Sequence, residues 1–61
     1  MKTLAEQIEC AKSELHYRRG YYPELVAHHS FTPQESAHSI ECMEAIVESL
    51  KNLEAFQQLL K

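Results

Sequence analysis

Sixty-one residues hold one domain only, and a domain this small buries roughly 60% of the surface its unfolded chain exposes. Six Lys and Arg against nine Asp and Glu give a formal charge of −3, which lacks the basic footprint of most nucleic-acid-binding domains. Two cysteines, Cys10 and Cys42, cannot supply a secreted disulfide framework, and no apolar run approaches the ~20 residues that cross a bilayer. No leader pattern opens the chain, so a cytoplasmic protein with free thiols is expected, with no membrane association.

One Gly, two Pro and many Glu, Leu, Ala, Gln and Lys favour helix over sheet. Thr3-Leu4-Ala5-Glu6 fits a capping box, in which the Thr3 hydroxyl accepts from the Glu6 N–H and the Glu6 carboxylate reaches back to the Thr3 N–H. A first helix is expected over about residues 3–28. Its apolar residues recur as Leu4, Ile8, Ala11, Leu15, Tyr22 and Leu25, a heptad seam in which Arg18 takes one position. Gly20 and Pro23 interrupt the composition but not the phase. A proline in a helix interior costs ~3 kcal/mol, so the helix either stops near Gly20 and restarts at Pro23 or continues with a kink. The unbroken phase favours the kink.

Residues 29–32 form the turn. Thr32-Pro33-Gln34-Glu35 is the strongest local signal: Thr32 suits the N-cap, Pro33 the first helical position and Glu35 the third position of a second capping box. The second helix should run over about residues 33–60. Its apolar residues spread wider than a narrow stripe and broaden toward the C-terminus, where Ile46, Leu50, Leu53 and Leu60 lie together.

The fold class is therefore all-α: a single two-helix antiparallel hairpin spanning residues 1–61, with the first helix kinked or broken near Gly20–Pro23. Antiparallel pairing sets Leu15 near Ile46 and Val47, Ile8 near Leu53, Leu4 near Phe56, and Arg18 near Met43 and Glu44. Glu41 or Glu44 is the expected partner of Arg18. Two helices share one seam, and the second helix is wider than that seam. Leaving Phe56, Leu59, Ile46 or Tyr21 in water forgoes ~1.5–3 kcal/mol each, so a helical-bundle homo-oligomer is expected.

Candidate chemistry is sparse. His38 and Cys42 share a helix face at a spacing used for zinc ligands, with His28, His29 and His16 elsewhere. Exposed histidines and a small thiol explain them more simply, so neither metal nor cofactor is expected. Arg18-Arg19-Gly20-Tyr21-Tyr22, preceded by Tyr17, sets cations among aromatics as single-stranded nucleic-acid sites do. Packed tyrosines and an interhelical ion pair account for it at lower cost, and nucleic acid is the alternative reading. No nucleophile elbow, phosphate loop or paired carboxylate in a cleft suggests an enzyme. The candidate interaction residues are Arg18, Arg19, Tyr21 and Tyr22 at the bend, and Ile46, Leu50, Leu53 and Phe56 on the second helix.

The stretch from Glu14 to Ala27, with its Arg18-Arg19-Gly20-Tyr21-Tyr22-Pro23 core, is followed by Thr32-Pro33-Gln34-Glu35-Ser36-Ala37 and Met43-Glu44-Ala45-Ile46. Over roughly residues 14–47 this resembles a family of short proteins from tailed phages and prophages. More narrowly, it is similar to the small early proteins of lambdoid phages encoded between the exonuclease and excisionase genes. The resemblance implies an early accessory protein in the host bacterial cytoplasm. Such a protein would act through a host or phage protein on host physiology or on the balance between lysis and lysogeny. No catalytic residues carry over.

Overall fold

A computed structural model describes residues 1–60. Helix α1 spans Leu4–Ala27 and helix α2 spans Pro33–Leu59, antiparallel in an elongated body of 49 × 18 × 16 Å. Both expected capping boxes form. Thr3 Oγ1 accepts from the Glu6 N–H at 3.1 Å while the Thr3 N–H donates to Glu6 Oε1 at 3.1 Å. Thr32 Oγ1 accepts from the Glu35 N–H at 3.0 Å, and the Thr32 N–H donates to Glu35 Oε1 at 3.3 Å. The bonds from Thr3 hold the Glu6 carboxyl below its ordinary range, with Lys2 adding to the effect.

Helix α1 runs through Gly20 and Pro23 without interruption, so the stop-and-restart alternative is not realised. Every position of its seam is removed from water: Ile8, Ala11 and Leu15 are buried, and Leu4, Arg18, Tyr22 and Leu25 half-buried. The core is Ala11 and Leu15 against Met43 and Val47, with Ile40 and Leu50 packed on it.

The end of α1 carries a device that the residue types do not announce. His29 adopts φ 60°, the left-handed region. The His29 N–H donates to the Val26 carbonyl at 3.0 Å and the Ser30 N–H to the Leu25 carbonyl at 2.9 Å. This is the two-bond closure usually built around glycine one residue past a helix cap. It reverses the chain within a few residues and delivers Thr32 to its capping position. Phe31, just before the N-cap Thr32, packs edge-on against Tyr22 of α1, with ring centroids 5.0 Å apart.

Two details of the expected register are corrected. Leu53 and Phe56, expected opposite Ile8 and Leu4, are 46% and 57% exposed. From Leu50 the shared seam steps four residues to the half-buried Glu54, which turns Leu53 about 100° away from α1. The Arg18 partner also differs: its Nε pairs with Glu14 in the same helix at 3.0 Å, and a guanidinium N–H crosses to the Ser39 carbonyl at 2.9 Å. Arg19, one residue and about 100° further round α1, leaves from the edge that faces Glu44 and takes that carboxylate at 2.7 Å.

Candidate functional site

The interaction residues divide into two groups by what they already touch. In the Arg18–Tyr22 segment of α1, Arg18 is held three ways: by Glu14, by the Ser39 carbonyl, and by the Tyr22 ring, whose centroid lies 5.9 Å from the guanidinium carbon. Arg18 is half-buried and acts as a strut between the helices. Tyr22 is likewise half-buried, between Arg18 and Phe31. Neither presents a free binding group. Arg19 is more exposed but already paired with Glu44. Tyr21 is open, and it stacks on Tyr17 one turn earlier with centroids 5.3 Å apart, an exposed aromatic pair on the outside of α1.

A single-stranded nucleic acid needs unpaired cations beside its stacking platforms. Here both arginines of the segment are neutralised by carboxylates, and one is half-buried. The Tyr17–Tyr21 stack remains an aromatic platform flanked by satisfied charge.

The second group lies on α2. Ile46 is 47% exposed, Leu53 46%, Phe56 57%, Leu60 71% and Leu59 82%. Leu50, expected among them, packs against the core and does not belong to the open surface. Ile46, Leu53, Phe56 and Leu60 form an apolar strip along the C-terminal half of α2, about 100° round the helix from the face that packs on α1.

His38 and Cys42 do meet, with Sγ 3.5 Å from Nε2 on the exposed surface of α2. His28 and His29 do not join them, and among the described residues no three metal-ligating side chains converge. The pair reads as an i,i+4 hydrogen bond. Cys10 and Cys42 are both exposed and unpaired.

An open cleft of about 460 Å3 flanks the turn, lined by Val26, His29, Phe31, Thr32 and Pro33 among others. Sequence reasoning did not find it, because it depends on the left-handed His29 and on Phe31 turning toward Tyr22. No helix among the described residues is long and apolar enough to cross a membrane. No protein-family model, curated protein or solved structure matches this chain.

Proposed function

We propose that this chain is a small phage early accessory protein that works by protein–protein interaction, without catalysis, in the cytoplasm of the infected bacterium. It modulates the host or the balance between lysogeny and prophage induction. One observation carries the interaction reading: Ile46, Leu53 and Phe56, each about half exposed, line one face of a well-capped helix whose adjacent face, about 100° round, already has its core. Contiguous apolar surface on a small acidic protein marks a binding face more often than a tolerated defect. The phage context comes from the resemblance of residues 14–47. The paired state of Arg18 and Arg19 weighs against a nucleic-acid regulator.

The test is expression in a bacterium carrying a lambdoid prophage, with growth and spontaneous induction frequency measured against an empty vector. Wild-type protein is expected to shift induction or growth. Phe56→Asp, checked for unchanged helicity, is expected to lose the effect. No effect of the wild-type chain on either readout would overturn the proposal.

A further inference from the structure

The apolar breadth of α2 resolves into two interleaved heptad seams. The first runs Ser36, Ile40, Met43, Val47, Leu50, Glu54, in alternating steps of four and three, and every member is buried or half-buried against α1. The second is Cys42, Ile46, Ser49, Leu53, Phe56, Leu60, with the same alternation of four and three. All six of its members are exposed, and none is charged. A seam with this 3.5-residue repeat is shaped for another helix, because the repeat is what keeps side chains facing a helical neighbour along their whole length. The flanking Ala45, Asn52 and Gln57 are neutral as well. Nothing along the seam selects a charged partner, and nothing along it repels an identical one.

We propose that the occupant of this second seam is the same seam of a second copy, antiparallel about a two-fold axis near residue 51. This deepens the interaction reading above, on which it rests, by naming the first partner as the chain itself. In a two-fold contact, residue i meets j while j meets i. One antiparallel register satisfies that for all six positions at once: Cys42 against the second copy's Leu60, Ile46 against its Phe56, and Ser49 against its Leu53. Every pair sets a smaller side chain against a larger one, as interdigitating knobs require. The exposed fractions of Ile46, Leu53, Phe56 and Leu60 leave on the order of 400 Å2 of seam per copy, about 800 Å2 for the pair, and the flanks raise this toward the roughly 1,000 Å2 of a specific interface. The pairing leaves the Arg19–Glu44 edge and the turn cleft outside the contact, available to a different protein.

The register is tested by disulfide trapping at the outermost pair, which leaves Ile46, Ser49, Leu53 and Phe56 in place. Chains C10S, carrying Cys42 alone, and C10S/C42S/L60C, carrying a thiol only at position 60, are oxidised separately and then as an equimolar mixture. The mixture is expected to give a 42–60 heterodimer. Neither chain alone should crosslink, since equal positions lie eighteen residues apart, about 27 Å along the helix, far beyond the ~7 Å Cα limit of a disulfide. In parallel, wild-type mass is followed by light scattering over a dilution series. A species of twice 7.1 kDa is expected, and Leu53→Asp should raise its dissociation constant at least about a hundredfold. A Cys42–Cys42 crosslink would overturn the antiparallel register. A wild-type chain that stays monomeric at millimolar concentration would overturn the dimer. The induction phenotype is scored separately, so a wild-type chain that is monomeric yet still shifts induction refutes only this inference.

Discussion

Replacing Arg18 by Met tests the strut between the helices. Methionine keeps the unbranched stem that lies along the seam and deletes the guanidinium. Three contacts go: the 2.9 Å bond to the Ser39 carbonyl, the 3.0 Å pair with Glu14 and the position over Tyr22. A hydrogen bond from a charged donor is worth about 1.5–3 kcal/mol. Ser39 lies inside α2, where its carbonyl keeps its ladder bond, so no acceptor is orphaned and the loss falls at the low end. The Glu14 side chain is 45% exposed, which limits that pair to about 0.3–0.5 kcal/mol. The expected cost is about 1.5–2 kcal/mol, against a total of about 3–9 kcal/mol for a chain of this length. Thermal and urea melts followed by circular dichroism at one fixed protein concentration would read this as a melting temperature lower by roughly 6–16 °C. Glu14→Gln and Arg19→Met are the controls, each expected to cost less than about 1 kcal/mol because their pairs are largely solvated. Arg18 is no strut if R18M melts within about 0.5 kcal/mol of wild type, or if R19M costs more than R18M.

Leu15→Ala, at 8% exposure in the centre of the core, should cost about 2–5 kcal/mol and leave much of the population unfolded at 37 °C by circular dichroism. Gly20→Ala should stabilise by about 0.5–1 kcal/mol, since a Cβ there meets nothing within 4 Å and the residue sits inside a helix; a lower melting temperature would contradict it. His29→Gly should also stabilise, by about 0.5–1 kcal/mol, because glycine adopts the left-handed conformation without the Cβ clash. Glu6 is held below the ordinary carboxylate range in the folded state, so its contribution is complete above the unfolded value and is lost as pH falls through the depressed one. An NMR titration should show the Thr3 and Glu6 amide resonances moving together in that acid window, and Glu6→Gln should abolish the step.

Much of this architecture is legible in the residues. The steps Leu4, Ile8, Ala11, Leu15, Arg18, Tyr22, Leu25 name every seam position of α1, including the charged one, because a single helix edge carries them. The two Thr-x-x-Glu boxes fix both helix starts within a residue, since their chemistry is local. The partner of Arg18 was not legible. Choosing between Glu14, Glu41 and Glu44 depends on which edge of α1 each guanidinium leaves from, and neighbouring residues there differ by about 100°. The left-handed cap at His29 had no signal, because histidine stands where glycine would have announced it. The second seam of α2 was visible only as excess width. Two heptad stripes offset by one residue blur into a drifting face until the burial of one separates it from the other.

The persistence of α1 through Gly20 and Pro23 shows which level of organisation decides in so small a chain. Local propensity disfavours this helix: the proline removes one ladder bond at ~3 kcal/mol and the glycine adds up to about 1 kcal/mol. Beyond Pro23, however, the helix carries Leu25 and Val26, and just before it Tyr22, all half-buried. Full burial of such side chains is worth about 1.5–3 kcal/mol each, so half-burial of three returns roughly 2–5 kcal/mol. The edge contact of Tyr22 with Phe31 adds about 0.5–1.5 kcal/mol. Ending the helix at Arg19 would rotate those residues out of phase and forfeit the sum, together with the cap that sets up Thr32. The two sides are close to balance, which makes the segment from Gly20 to the turn the least stable part of α1. Hydrogen exchange at residues 20–28 should accordingly be faster than at residues 8–15, where the core closes over the same helix.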